Sequence, residues 1–301
     1  MSGDNNEAGT SCCASCGIAE IDDVKLVPCD GCDLVHYCSD DCQQDHSSNH
    51  EEACKKRAAE LRDELLFKQP ENTHRGDCPI CMIPLPLDKQ KSILKSCCSK
   101  VICKGCSHAN IIREDPMRLT FLCPFCREPM PETKEDYCKL MKKRIEMNDP
   151  VAMYQEGVGQ RQKGNYRSAF VYYSKAAKLG DADAHYTLSI LYHLGQGVEK
   201  DTRKEIYHFE EATILGHPWA RYNLGCVEED NGNVERALRH WLIAARQGED
   251  DSLKTLMKAF KEGLISKEDL AATLRAHKAA VDETKSAQRE AAEEYYRFRA
   301  S

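Results

Sequence analysis

The stretch DPVAMYQEGVGQRQKGNYRSAFVYYSKAAKLG, residues 149–180, decides the fold because it returns twice. DADAHYTLSILYHLGQGVEKDTRKEIYHFEEATILG fills 181–216, and HPWARYNLGCVEEDNGNVERALRHWLIAARQG fills 217–248. The copies are 32, 36 and 32 residues long, and the second is extended at its central turn, where GQGVEKD replaces KGNY. Each opens on Ala-x-Tyr (Ala152 and Tyr154, Ala184 and Tyr186, Ala220 and Tyr222) and closes on glycine (Gly180, Gly216, Gly248). The pattern is that of a helix pair. Aromatic residues and leucines recur at helical spacing, and the closing glycine takes the left-handed conformation that ends a helix. The alanines, with Gly157 and Gly225, let neighbouring helices approach closely. One pair cannot bury its apolar face alone, whereas a stack of pairs can.

The three copies resemble Sel-one-like repeats, relatives of the tetratricopeptide repeat. A fourth unit from Glu249 reads as a degenerate cap, and the segment through QREAAEEYYRFRA reads as a charged helix continuing from it. The resemblance implies an all-α helical-repeat solenoid over 149–285, a C-terminal helix over 286–301, and a concave face that binds another protein.

Ahead of the repeats the composition changes. The chain has 18 cysteines, and 16 of them lie between Cys12 and Cys126; only Cys138 and Cys226 follow, and both read as packing thiols. The opening MSGDNNEAGT is polar and acidic, with no basic start and apolar run, so residues 1–11 are expected to be disordered and no secretory signal is read. No apolar stretch has the length of a membrane span. The expected location is intracellular, cytoplasmic or nuclear. A reducing compartment does not sustain a dense disulfide framework, so clustered Cys-x2-Cys pairs read as zinc sites. The net charge of −7 argues against nucleic acid or an anionic membrane as the general partner.

The first cluster runs Cys13-x2-Cys16, twelve residues, Cys29-x2-Cys32, five residues, Cys38-x3-Cys42, seven residues, His50-x3-Cys54. Eight ligands suit two tetrahedral ions. The x3 spacings suit one helical turn each. Apolar residues are scarce here, so metal binding must supply the folding free energy. His46 reads as a solvated helix residue, His36 as packing or surface, and Cys12 as a spare thiol. These residues resemble a MYND-type zinc finger over 12–54. The resemblance implies interleaved pairing, with Cys13, Cys16, Cys38 and Cys42 on one ion and Cys29, Cys32, His50 and Cys54 on the other. The family's tryptophan three residues before the histidine is Ser47 here. Residues 55–77 read as a short helix, with Ala58, Leu61, Leu65 and Leu66 on one side, followed by a linker from Pro70.

The second cluster runs Cys78-x2-Cys81, fifteen residues, Cys97-Cys98, four residues, Cys103-x2-Cys106, sixteen residues, Cys123-x2-Cys126. It resembles an all-cysteine RING finger over 78–131. The implied pairing is Cys78, Cys81, Cys103 and Cys106 on one zinc, and Cys97, Cys98, Cys123 and Cys126 on the other. Adjacent Cys97 and Cys98 reach one ion only if the backbone bends, and His108 competes with Cys97 for that place. The family contacts a ubiquitin-conjugating enzyme through positions that here carry Ile80, Pro124 and Arg127, with Ile111 and Ile112 adding apolar surface. RING fingers work by positioning. No catalytic residue is therefore expected.

The whole reads as two zinc-stabilised cross-brace fingers followed by a solenoid, with four zinc ions, a ubiquitin-conjugating enzyme as one partner and an unknown protein on the repeats. The leading function is a RING-type ubiquitin ligase, and the alternative is a non-enzymatic interaction adaptor. A MYND-bearing methyltransferase is excluded, because the residues after 131 are committed to helical repeats.

Overall fold

A computed structural model of the chain describes residues 12–18, 20, 25–113 and 122–300. The expectation of disorder over 1–11 lies outside them, as does part of the second cysteine module, 114–121. The chain divides into two compact units, Met1–Lys68 and Gln69–Ser301.

In the first unit β1 (Val27–Pro28) pairs antiparallel with β2 (His36–Tyr37), and Cys13 bridges to His36. Then α1 runs unbroken from Asp40 to Leu66, capped by Ser39, whose side chain accepts from the Cys42 N–H. The second half of the finger and the helix expected after it are thus one element. Only two α1 side chains, His50 and Leu66, are buried, and Leu65 is exposed. An apolar face does not hold this helix. Arg57 ties it to the loop after Cys32, with Nε and Nη2 donating to the two Asp33 carboxylate oxygens at 2.7 and 2.9 Å.

The second unit opens on a hairpin. β3 (Ser92–Lys95) pairs antiparallel with β4 (Lys100–Cys103), with Ile93 opposite Ile102. α2 (Lys104–Arg113) follows directly, then α3 (Lys134–Glu146). The solenoid is α4 (Pro150–Gln162) with α5 (Tyr166–Lys178), α6 (Ala182–Leu194) with α7 (Thr202–Ile214), and α8 (Pro218–Asp230) with α9 (Val234–Arg246). Each pair packs internally and against the next. Side chains of Asp149, Asp181, His217 and Glu249 cap the first helix of each successive unit. Gly180, Gly216 and Gly248 have φ of 82°, 80° and 88°, as the helix-ending role requires. Ala152, Ala184 and Ala220 are completely buried.

The cap of the array is α10 (Asp250–Lys261) with α11 (Lys267–Glu283). The C-terminal segment does not continue it. Helix α11 stops at Thr284, and α12 (Ala287–Ala300) packs back on α2 of the cysteine-rich module. Cys226 is partly buried in the α8–α9 core, but Cys138 is exposed on α3, so the packing role expected of it does not hold.

Candidate metal centres

The structure gathers the sixteen candidate ligands into four sets, each with its ligand atoms within 4.8 Å of one another. In the first unit these are Cys13, Cys16, Cys38 and Cys42, and then Cys29, Cys32, His50 and Cys54. The cysteines are free thiols. Sulfur–sulfur separations are 3.5 Å for Cys16–Cys38, 3.6 Å for Cys38–Cys42 and 3.7 Å for Cys29–Cys54. A tetrahedron with Zn–S of about 2.3 Å has edges of about 3.8 Å, so these sets fit zinc. His50 Nε2 lies 3.1 Å from Cys32 Sγ. His46 faces elsewhere, with Nδ1 3.0 Å from the Tyr37 hydroxyl, and Cys12 lies outside both sets. The one-turn reading holds for His50 and Cys54, both on α1. Cys38, by contrast, precedes the cap, and a strand end and a first helical turn bring it to Cys42.

Three Cys-x2-Cys pairs share one backbone device. After Cys16 the Gly17 N–H donates to the Cys13 carbonyl at 2.9 Å, and the Cys13 N–H donates to Ile18 O at 2.8 Å. The Met82 N–H donates to Cys78 O at 2.8 Å and the Arg127 N–H to Cys123 O at 3.1 Å, and in return the Cys78 and Cys123 N–H groups donate to Ile83 O and Glu128 O. The residue after the second cysteine has positive φ in all three: 75° at Gly17, 55° at Met82 and 60° at Arg127. Each loop is a knuckle that turns two sulfurs to one side.

In the second unit the sets are Cys78, Cys81, Cys103 and Cys106, and Cys97, Cys98, Cys123 and Cys126. Cys81–Cys103 is 3.9 Å, Cys98–Cys123 is 3.8 Å and Cys97–Cys126 is 3.3 Å. The backbone bend that Cys97 and Cys98 need is the turn between β3 and β4, where the Ser99 N–H donates to Lys95 O at 2.8 Å and Ser99 has φ of 55°. His108 is buried away from the sulfurs, its ring 4.3 Å from that of Tyr295 on α12. Ile80, Ile111, Ile112 and Arg127 are exposed, and Pro124 is half-buried.

The thiols repel one another's charge. A hydrogen bond from the Cys103 thiol lowers Cys78 to about 4, and the Cys16 N–H lowers Cys13 to about 6. Their neighbours pay for this: hydrogen bonding with Cys16 and Cys42 pushes Cys38 up to about 12, and burial raises Cys106 to about 12. In each set one thiol is lowered (Cys13, Cys29, Cys78 and Cys123) and another is raised (Cys38, Cys54, Cys103 and Cys97), as expected of groups that need a multivalent cation among them.

A further cluster was hidden from sequence reasoning. The Asp183 carboxylate oxygen Oδ1 lies 3.3 Å from His217 Nε2, 3.5 Å from His74 Nε2 and 2.7 Å from Lys89 Nζ. The two imidazoles stack at 4.2 Å. Burial opposes the Asp183 charge, but the His217 hydrogen bond and the nearby His74 and Lys89 outweigh it and hold its pKa well below the usual range. His217 Nδ1 accepts from the Ala220 N–H at 3.1 Å, and burial keeps the ring neutral with a pKa of about 4. The ring proton is therefore on Nε2, which donates to Asp183 and has no lone pair for a metal. The cluster is a clasp that holds the 70–77 segment on the solenoid, helped by the His74 N–H donating to Gly216 O at 3.0 Å.

Comparison with known proteins matches the first cysteine module and the helical repeats. The family model described as MYND finger matches residues 13–54, and that described as Sel1 repeat matches 152–181, 182–217 and 220–249. Chitin synthase regulatory factor 4 of Schizosaccharomyces pombe is 30% identical over 91 residues, which is 30% of this chain and 14% of that protein. A Sel1 repeat protein from Oxalobacter formigenes superposes with a TM-score of 0.44 at 25% identity, over 50% of this chain and 66% of that one. A protective antigen present in uropathogenic Escherichia coli strains, displaying an SLR fold, superposes at 0.41 and 21% identity, over 48% of this chain and 33% of that one. The chain thus joins a MYND finger, which implies zinc, to an array of Sel1 repeats, which are protein-interaction modules.

Proposed function

We propose that the chain is an interaction scaffold whose second cysteine module is a RING-type finger. In this reading it carries four zinc ions, recruits a ubiquitin-conjugating enzyme on the finger, and holds the protein to be modified on the Sel1 array. The observation that carries the reading is the exposure of Ile80 and Arg127, with Pro124 half-buried beside them, on the two knuckles, Cys78–Cys81 and Cys123–Cys126, of a module with two four-sulfur sets. Ile80 is 43% exposed although its flanking cysteines are not. Arg127 is exposed, and its planar fork suits contact with two proteins at once. The rate gain would come from holding the loaded enzyme in a reactive posture, with no covalent step on this chain.

The test is discharge of ubiquitin from loaded conjugating enzymes by the full chain. Faster discharge that Arg127→Ala and Ile80→Ala each abolish supports the reading. No discharge across a broad enzyme panel, from zinc-loaded protein, overturns it.

The second reading is a non-enzymatic adaptor. It is favoured by the clasp at Asp183, which joins the segment carrying Lys89 to the repeats and suits a rigid scaffold. The regulatory role in the name of the Schizosaccharomyces pombe relative also suits binding rather than catalysis.

A further inference from the structure

Arg289 follows Cys81 by 208 residues, yet its Nη2 donates to the Cys81 sulfur at 3.5 Å. The side chain is buried, with 6% of the residue exposed. Its other acceptors are the carbonyls of Ile83 at 2.9 Å, Pro84 at 2.7 Å and Thr284 at 2.6 Å. The rest of α12 follows it onto the same module. Gln288 donates to Gly105 O at 3.2 Å, Glu293 pairs with Lys91 at 2.8 Å, and Tyr295 lies on His108. Gly105 makes the approach possible, since a Cβ there would stand 3.1 Å from Arg289 Cα.

A buried guanidinium is costly unless something anionic answers it. Three of its acceptors are neutral carbonyls, and the fourth is a sulfur of a four-cysteine set. Four thiolates on one Zn²⁺ leave a net charge of −2, and a fixed cation donating to a ligand sulfur lowers the cost of keeping that charge out of water. We propose that Arg289 is the outer partner of the zinc held by Cys78, Cys81, Cys103 and Cys106, so that metal retention at this set and docking of α12 are one coupled equilibrium. The inference rests on the zinc reading of that set. Coupling is reciprocal: if the docked helix tightens the metal, the metal tightens the helix.

The experiment uses the full, zinc-loaded chain. Transfer of zinc to a chromophoric chelator is followed for wild type, Arg289→Met and Arg289→Lys, with amide exchange across 287–298 measured in parallel. Arg289→Met is expected to release one ion about 10–100-fold more readily, the range for loss of an outer-shell partner, while the other ions are unaffected. Arg289→Lys should recover part of the loss because it keeps the charge. In the other direction, Cys81→Ser should strip α12 of its exchange protection, a readout that stands even where Arg289→Met folds poorly. Loss of protection in Arg289→Met with zinc transfer unchanged would make Arg289 a packing clamp and overturn the proposal. A Cys78→Ser variant with undiminished zinc content would remove the metal from this set, and the proposal with it. The two failures are told apart by whether the ion or only the coupling is missing.

Discussion

Gly225 lies beneath the indole of Trp241, so close that a Cβ on it would stand 2.5 Å from Nε1. The indole cannot move aside freely, because Nε1 donates to Tyr222 O at 3.2 Å and the residue is 2% exposed. The same relationship recurs in the first repeat, where a Cβ on Gly157 would meet Tyr173 at 2.6 Å. Gly225→Ala gains about 1 kcal/mol of helix propensity. Overpacking costs about 1–3 kcal/mol. A net loss of about 0–2 kcal/mol in chemical denaturation is expected, reduced in the double variant with Trp241→Phe. A stabilised Gly225→Ala chain would contradict the packing.

Asp183→Asn should loosen the clasp. It removes the anion that Lys89, His74 and His217 share, and it leaves their donors poorly answered in a largely buried place. The expected result is a new protease-sensitive site within residues 70–77, with a loss of about 1–2 kcal/mol for this largely buried network. Unchanged proteolysis would show that backbone contacts such as His74 to Gly216 suffice.

Burial and the neighbouring Asp183 charge raise the Asp181 pKa from 3.8 to about 7. The folded chain therefore binds that proton more tightly than the unfolded chain. Its contribution is fully present below about pH 4 and is lost as pH rises to about 7. Asp181 caps α6 by accepting from the Ala184 N–H at 2.7 Å, and asparagine caps equally well. Asp181→Asn should thus leave stability unchanged near pH 4 and raise it at pH 8 by on the order of 1–3 kcal/mol. Thermal melts at the two pH values decide the matter, and a destabilised variant at pH 8 would contradict the assignment.

Much of this was legible beforehand. The Ala-x-Tyr openings and closing glycines located all three helix pairs, because short-range packing repeats with the sequence. Cysteine spacing marked the candidate ligands, since a knuckle is a local device, while their grouping into four sets came only from the resemblance to MYND and RING fingers. The single run of α1 was hard to see, because its polar residues carry no apolar period and a cap at Ser39 with metal ligands sets its limits. The positive φ at Met82 and Arg127 was also out of sight, as glycine marks that conformation only at Gly17. Least legible were Arg289 on Cys81 and His74 on Asp183. Their partners lie 208 and 109 residues away, and nothing in the local pattern of either reports a partner.

Chelation separates the two kinds of stability in the chain. The fingers have few apolar side chains to bury, whereas α4 to α9 enclose Tyr173, Leu188 and Trp241. Strong chelator should make the finger cysteines reactive to a thiol reagent and fray α1, while most of the helical circular dichroism persists. Collapse of the whole helical signal on chelation would contradict an independently packed solenoid.

Metal stoichiometry is the most direct measurement of the central claim. Elemental analysis of the native full chain should give four zinc ions, and Cys16→Ser, Cys54→Ser, Cys81→Ser and Cys126→Ser should each lower the count by one. Two ions or fewer in the wild-type chain would contradict the paired fingers.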